Sequence, residues 1–272
     1  AVTAPGVAGP SATPEPSPGP GGVGLVRRLG PFDGAAVIVS NVIGGGIFFL
    51  PAIVAQSAPH PWAVMAVWSV GGVMAFAGAM AYAELSALRP RAGGEYVYLR
   101  EAFGPLAAFL TGWTSFVAGF SGAIAASAVA LASYLSRFVP VAGDLTPLLI
   151  IRLGPLDLVV SPQALVAVSV IAALSGVHIL GLGPGRVVQN LLAGLKLAIL
   201  IGFVVLGFAI GDGSSAHFAE GGSVSPSLWV FALIPVMFSY SGWNAATYVA
   251  EEIREPGRNV PLALGLGTVA VV

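Results

Sequence analysis

Six long apolar stretches constrain this chain more than any other feature. They cover about residues 34–56, 62–83, 104–136, 163–182, 187–210 and 226–250, and a seventh begins near Pro261. Each is close to, or longer than, the roughly 20 residues with which a helix crosses the hydrocarbon core of a bilayer. Unpaired backbone groups are costly in lipid and the alternating pattern of a β-barrel is absent, so we predict transmembrane helices. The third stretch is long enough to require a strong tilt or an interfacial lead-in.

The charge content supports a lipid environment and excludes several classes of function. Charged residues make up only 8% of the chain, against about 25% in soluble domains. The formal net charge of -1 and the lack of a basic stripe argue against a nucleic acid partner. The chain has no cysteine, which excludes disulfides and thiolate metal sites, and we expect no cofactor. The motifs HExxH, GxSxG and Walker A are absent, so we do not expect an enzyme.

The ends of the chain and its basic residues predict an orientation. Residues 1–30 are predicted to form a disordered cytoplasmic tail, because residues 1–24 are rich in Pro, Gly, Ala and Ser. With the tail inside, the outer loops hold only Arg137 and Arg152, which predicts a multi-pass protein of the cell inner (plasma) membrane with a cytoplasmic N-terminus. The run Pro261–Val272 is short, so we expect the chain to stop inside a helix. The inner basic residues are Arg27, Arg28, Arg89, Arg91, Arg100, Arg186, Arg254 and Arg258.

Two of the predicted spans carry sequences that interrupt a helix. The first contains three consecutive glycines, Gly44 to Gly46, each of which costs about 1 kcal/mol relative to alanine inside a helix. Close helix packing is the simpler explanation of one membrane glycine, but three in a row favour local unwinding. The sixth span has Pro235 followed by FSYSGWN. Because these spans are five apart, they would occupy equivalent positions if the protein were built from two inverted five-helix repeats. We then expect the first repeat at residues 31–211 and the start of the second, with the sixth span and part of the seventh, at residues 212–272.

Paired interrupted helices predict a binding site near the bilayer midplane. The N-terminus of a half-helix attracts an anionic group, and freed carbonyls attract a cation. An amino acid zwitterion presents both groups. The sequence therefore predicts a site for a dipolar solute, with an amino acid as the substrate and the lipid bilayer as the other partner.

Four motifs resemble those of the amino acid-polyamine-organocation (APC) superfamily. They are IGGGIF, AGGEYVYLREAFGPLAAFLTGW, VQNLLAGLKLAIL and FSYSGWNAATYVAEEIREPGRNVPLAL, and the last is most similar to the L-type amino acid transporters and their bacterial relatives. The resemblance implies an all-α polytopic membrane protein with an inverted-repeat (5+5) transporter fold, here truncated after about six and a half transmembrane helices. It also implies that the first repeat and the opening of the second are present.

The resemblance assigns roles to residues at both interruptions. The backbone N–H groups of the glycine run would bind the substrate carboxylate. The carbonyls near Val42 and Ile43, together with those at Phe238 and Ser241, would receive its ammonium group. Phe238 matches an aromatic residue that closes over substrate. The family often has Ser at the position of Gly45, and Gly or an acidic residue at that of Ser241. The implied substrate-binding set is Val42, Ile43, Gly44, Gly45, Gly46, Phe238, Ser239, Ser241 and Asn244, with Phe238 and Trp243 as the gate.

Lys196 lies in the fifth span, ten residues from Arg186 and hence roughly 15 Å along the helix from the inner end. A lysine within hydrocarbon is a functional candidate, although it could also extend its side chain to the interface. The resemblance implies that this lysine reaches the first helix and fills space that sodium uses in sodium-coupled relatives. We therefore predict sodium-independent transport.

Several alternatives stay open at the level of sequence. The leading hypothesis is secondary transport of neutral amino acids by alternating access, as exchange or with proton coupling. A polyamine or cationic amino acid antiporter and a non-transporting amino acid sensor are the alternatives, and the need for an accessory subunit is undetermined. Outside the spans, Glu84, Glu95 and Glu101 lie near three arginines and predict interfacial ion pairs.

Overall fold

The computed structural model describes residues 27–154, 156–179, 182–211, 213–219 and 221–272. Most of the predicted N-terminal tail, residues 1–26, lies outside this part of the chain. The helices are α1 Pro31–Val42, α2 Gly46–Ser57, α3 Pro61–Leu88, α4 Glu95–Phe103, α5 Pro105–Thr114, α6 Ser121–Leu135, α7 Pro162–Ile179, α8 Leu182–Ile210, α9 Pro226–Tyr240 and α10 Pro256–Val271. Two strands, β1 Leu149–Leu153 and β2 Leu156–Val160, form a hairpin between α6 and α7. Short 3₁₀ segments occupy Pro140–Gly143, Ser215–Phe218 and Ala245–Glu252.

Proline defines where many of the helices begin. Helices α1, α3, α5, α9 and α10 each have a proline in their first turn. Proline is suited to this position because its fixed φ matches a helix and its missing N–H would have no partner there. At α1 the carboxylate of Asp33 also accepts a hydrogen bond from Gly30 N at 2.7 Å, which satisfies a backbone donor at the start of the helix.

The predicted spans correspond to helices, with differences in length. Within the described residues, three helices are long and apolar enough to cross a membrane: Pro61–Leu88, Pro105–Leu135 and Leu191–Ile210. A fourth candidate consists of α1 and α2 together, which are bent by 50° at the break between them. The fourth and sixth stretches correspond to the shorter helices α7 and α9. The mostly helical architecture confirms the predicted fold class, whereas the number of six crossings stays a prediction.

The third apolar stretch forms one continuous helix, Pro105–Leu135, and the strong tilt or interfacial lead-in expected from its length stays a prediction. Helices α5 and α6 are joined without interruption through a π-helical segment, Ser115–Phe120. The separate helix α4 precedes them and ends at Gly104, whose φ of +89° favours glycine. A π-helical turn changes the direction of side chains along a helix without breaking it.

The buried core lies where α1, α3, α9 and α10 pack together. Ile38, Val67, Val236 and Leu264 are fully buried, one from each of these helices. Small residues allow the helices to approach closely. A β-carbon added to Gly71 would lie 2.4 Å from Val236, and one added to Gly267 would lie 2.8 Å from Ile38. Such close contact is typical of helices that associate in lipid.

The helices α6 and α7 form a second packed pair. Gln163 Nε2 at the start of α7 donates a hydrogen bond of 2.8 Å to Ser133 Oγ near the end of α6. The β-hairpin lies between these two helices in the chain and was not predicted from sequence. Its register pairs Leu149 with Val160 and Arg152 with Asp157.

Candidate functional site

The first break separates α1 from α2 at residues 43–45. Ile43 has φ -73° and ψ 74°, which is outside the helical region. Gly44 N donates to Val42 O at 2.7 Å, and Phe48 N donates to Gly45 O at 3.0 Å. The ladder of i to i-4 hydrogen bonds is therefore interrupted, and carbonyls in the last turn of α1 lose their usual partners.

The start of α2 presents free donors at this break. Among the described residues, no hydrogen bond acceptor is present for the N–H groups of Gly45 and Gly46. They lie at the positive end of the α2 helix dipole, where a carboxylate is stabilised. A β-carbon on Gly46 would lie 3.4 Å from the Cα atom of Ser239, so α2 contacts α9 directly at this point.

The second break follows α9. The helix ends at Tyr240, Ser241 has φ -59° and ψ 143°, and Gly242 has φ +106°. The chain then resumes as the 3₁₀ segment Ala245–Glu252. The carbonyl oxygen of Phe238 accepts two hydrogen bonds from Ser241, one from its N–H at 3.1 Å and one from its hydroxyl at 2.7 Å.

The two breaks lie against each other. A β-carbon on Gly242 would lie 3.0 Å from Asn41 Cβ, 3.3 Å from Asn41 C and 3.4 Å from Val42 N. The turn after α9 therefore touches the end of α1, and both interrupted segments bound one region. This contact brings together most of the residues that the sequence singled out.

The four carbonyls assigned to the substrate ammonium differ in their availability. Val42 O accepts the bond from Gly44 N, and Phe238 O accepts both bonds from Ser241. The carbonyl oxygens of Ile43 and Ser241 accept no hydrogen bond from any residue that the structure describes. In this conformation, Ile43 and Ser241 are the two free acceptors, and the roles of all four stay predictions.

The side chains predicted to bind or gate have different surroundings. Phe238 is 48% exposed, as a side chain that closes over a solute could be. Ser239 is buried beside Gly46. Trp243 packs instead within the helix bundle. A β-carbon on Gly78 would lie 2.8 Å from the Trp243 ring, and the ring of Tyr82 packs edge-on against it, with 5.0 Å between the ring centroids. The gating roles of Phe238 and Trp243 stay predictions.

Asn244 points away from the glycine run and toward α4. Its Nδ2 atom donates to Glu95 Oε2 at 3.3 Å and to Tyr248 OH at 3.1 Å. The hydroxyl of Tyr248 donates in turn to Glu95 Oε1 at 2.6 Å. Both oxygens of one carboxylate therefore hold the segment that follows the second break.

The predicted ion pairs of the inner loop are confirmed for Glu101 and wrong for Glu95. Glu101 pairs with Arg89 and, at 3.4 Å, with Arg91. Glu95 has no basic side chain within 4.0 Å in the described part of the chain, because it faces Asn244 and Tyr248. Burial, and then the neighbouring Tyr82 and Glu95, raise the pKa of Tyr98 on the same helix to about 12, so its phenol stays neutral.

Glu95 is the residue of this region that sequence reasoning missed. Its partners lie 149 and 153 residues further along the chain. A local signal exists in the preceding glycine, because Gly94 has φ +52° and a β-carbon there would lie 2.8 Å from Thr247 Oγ1. Only glycine fits where the start of α4 meets the 3₁₀ segment.

Lys196 contacts the first helix at the break. Its Nζ atom donates a hydrogen bond of 2.6 Å to the carbonyl oxygen of Ser40. That oxygen would accept from Gly44 N in a continuous helix, but Gly44 N bonds to Val42 O instead. The ammonium group therefore lies at the negative end of the α1 dipole, where a cation is stabilising, and does not extend to the interface.

An apolar cavity of about 920 Å³ lies beside the first break, between α2, α6 and α8. On one side it is lined by Gly45, just before α2, and by Phe48 and Phe49 of α2, and on another side by Lys196 of α8. A second cavity of about 300 Å³ is lined by Ser40, Asn41 and Lys196. Lys196 thus belongs to the walls of both cavities.

Comparison with known sequences relates this chain to amino acid transporters. The profile described as "Amino acid permease" matches residues 29–272. The b(0,+)-type amino acid transporter 1 of Oryctolagus cuniculus is 30% identical over 250 residues, which is 89% of this chain and 48% of that protein. The "Large neutral amino acids transporter small subunit 2" of Homo sapiens is 30% identical over 267 residues, or 96% of this chain and 48% of that protein. The chain spans about half the length of the curated relatives it matches.

Proposed function

Because this chain belongs to the amino acid permease family, we propose that the protein carries neutral amino acids across the plasma membrane by alternating access and without sodium. The observation that carries this proposal is the contact between the two breaks at Gly242 and Asn41. It supports a shared site in which backbone groups, freed from two helices, face a dipolar solute. The permease family makes this a multi-pass membrane protein, and the cytoplasmic N-terminus and the two repeats remain part of the proposal.

In the proposed site, charge is recognised by backbone atoms. The α-carboxylate accepts hydrogen bonds from the N–H groups of Gly45 and Gly46, which have no acceptor among the described residues. The α-ammonium group donates to the carbonyls of Ile43 and Ser241, which are likewise free in the described structure. Since both charges are common to all amino acids, selectivity depends on the surroundings of the side chain.

The cavity beside Gly45 favours a neutral side chain. Its walls are mainly aromatic and aliphatic, and Lys196 is the one charged residue among the described residues that line it. A cationic side chain placed there would be repelled by the ammonium group and would lose its hydration. This argument favours neutral amino acids over cationic amino acids and polyamines. One relative is named for large neutral amino acids, in agreement with this preference.

Lys196 supports the absence of sodium coupling. Its ammonium group already bonds to Ser40 O, a carbonyl freed at the break. A sodium ion close to that oxygen would compete with a tethered charge and be repelled by it. We therefore assign to Lys196 the role that a bound cation has at an unwound helix end.

The function is tested by exchange in proteoliposomes that contain the full-length protein. We expect internal unlabelled leucine to accelerate uptake of labelled leucine equally in sodium and choline buffers, and to accelerate labelled arginine and putrescine much less. Protein-free liposomes are the control. A strict requirement for a sodium gradient contradicts the coupling proposal, faster putrescine exchange supports the antiporter alternative, and binding without accelerated exchange supports a sensor.

Substitution of Glu95 tests the link between α4 and the second break. We expect Glu95→Ala to lower leucine exchange about tenfold, because hydrogen bonds to a charged group contribute about 1.5–3 kcal/mol and two partners lose theirs. Glu95→Gln keeps the shape of the side chain, and its rate of leucine exchange should lie between those of the unmodified protein and of Glu95→Ala. The matched control is Glu101→Ala on the same helix, whose ion pairs are exposed and contribute little.

A double-mutant cycle tests whether Tyr248 is the residue through which Glu95 acts. If Glu95 acts through Tyr248, then Tyr248→Phe should add little to the loss caused by Glu95→Ala. Fully additive losses, or equal losses for Glu95→Ala and Glu101→Ala, would show that Glu95 does not hold this segment.

A further inference from the structure

The β-hairpin between α6 and α7 has two chemically different faces. Side chains alternate between the faces along each strand, and residues paired across the strands share a face. From the register, Arg152 and Asp157 are direct partners, so both charges of the hairpin lie together on one face, which also carries the pair Ile150 and Val159. The opposite face carries Leu149, Ile151, Leu158 and Val160, all of them aliphatic.

The aliphatic face is not covered by the described part of the protein. Leu149 is 55% exposed, Ile151 39% and Leu158 53%. Neither strand contributes to the buried core cluster. Since a lone two-stranded hairpin is at best marginally stable in water, this face needs an apolar environment.

The hairpin connects the end of α6, which belongs to a helix long enough to cross a membrane, with the start of the shorter apolar helix α7. Only Ser161 separates β2 from the start of α7. On the other side, Gln163 N of α7 donates to Asp144 O at 3.1 Å, and Leu148 N donates to Val160 O at 2.8 Å. These bonds hold the base of the hairpin where α6 ends and α7 begins. A strand of this length spans about 17 Å, so an upright hairpin would leave the interface and a flat one would stay in it.

Exposed apolar residues connect the membrane helix to the hairpin. Phe138 is 85% exposed, Val141 63%, Leu145 68% and Leu148 61%, and they follow one another from the end of α6 to β1. The exposed polar residues Asp144 and Thr146 lie among them and bond to each other, with Thr146 N donating to Asp144 Oδ1 at 2.8 Å. Exposed apolar side chains therefore recur along the whole segment that joins α6 to the aliphatic face. Aromatic residues such as Phe138 are common at the end of a span.

We propose that this hairpin lies flat on the bilayer, with its aliphatic face in the boundary between lipid headgroups and acyl chains and with Arg152 and Asp157 toward water. An amphipathic element of this kind binds an interface through its buried apolar area. Because its two charges are opposite in sign and directly paired, the hairpin carries no net charge. Its docking therefore depends on the apolar face and does not require anionic lipid.

The experiment uses spin labels on the full-length protein, with any cysteines outside this chain replaced. This chain itself has none, so each introduced label is unique within it. Ile151→Cys places a label on the aliphatic face, and Val159→Cys is the matched control on the charged face. Each variant is reconstituted in phosphatidylcholine nanodiscs, and its relaxation by oxygen, which partitions into lipid, is compared with relaxation by a water-soluble nickel chelate.

We expect the ratio of oxygen to nickel accessibility to be several-fold higher at Ile151→Cys than at Val159→Cys, and unchanged when anionic lipid is added. Equal nickel accessibility at both positions would overturn the proposal, because both faces would be in water. Low accessibility to both reagents at Ile151→Cys would also overturn it, because protein would then cover the face. Leu158→Cys and Asp157→Cys provide a second pair with the same expected contrast if either first variant does not fold.

Discussion

Replacing Lys196 with alanine is expected to lower leucine exchange by a factor of about 10 to 100. Hydrogen bonds to charged groups contribute about 1.5–3 kcal/mol, and each 1.4 kcal/mol corresponds to about a factor of ten. The variant loses the 2.6 Å bond from Nζ to Ser40 O and the positive charge that Lys196 places at the broken end of α1. With that carbonyl unpaired, conformations that close the break compete with the binding-competent one.

A second variant separates charge from packing, because Lys196 also lines both cavities. Lys196→Met keeps an unbranched side chain that extends to the ε-carbon and removes the ammonium group. We expect it to lose exchange to the same extent as Lys196→Ala. If Lys196→Met exchanged leucine at the rate of the unmodified protein, the side chain would act by filling space.

Arg137→Ala serves as the control for removal of a basic residue. Arg137 is exposed in the loop after α6, far from either break in the chain. We expect its exchange rate and the thermal stability of the protein in detergent to match those of the unmodified protein. Exchange at the unmodified rate by both Lys196 variants would contradict the role assigned to this residue.

The breaks could be predicted from sequence because their causes are local. Glycine has access to backbone conformations that other residues avoid, and a run of three lowers helix stability wherever it occurs. The contact of Lys196 with the first helix was expected from the family resemblance, and it agrees with the need of an ammonium group in hydrocarbon for an acceptor. The structure has such a contact at Ser40.

Features that depend on distant partners were not predictable in this way. Glu95 is near three arginines in sequence, yet its oxygens face Asn244 and Tyr248. The partners of Glu95 depend on how α4 approaches the 3₁₀ segment, and Gly94 signals a close approach there without identifying those partners. The hairpin was missed for a different reason. Its strands are too short and too apolar to show an alternation, and only the register reveals that one face is aliphatic.

Replacing Gly242 with alanine is expected to reduce leucine exchange at least tenfold, because it acts where the two breaks meet. The φ of +106° at this residue is rarely adopted by residues with a side chain, and such strain costs about 1–3 kcal/mol. The new methyl group would also lie 3.0 Å from Asn41 Cβ, so the turn after α9 would have to move away from α1. The free carbonyl of Ser241 would move with it.

The matched control is Gly202→Ala in α8, where a β-carbon meets no atom within 4 Å and φ is not positive. There alanine should leave exchange unchanged, since it favours a helix over glycine by about 1 kcal/mol. The double variant Gly242→Ala with Asn41→Gly removes one side of the close contact and retains the strained φ. Partial recovery of leucine exchange in this double variant would assign the loss to both the strained φ and the close contact with Asn41. If Gly242→Ala exchanged leucine as fast as Gly202→Ala, the contact between the breaks would not be required for transport.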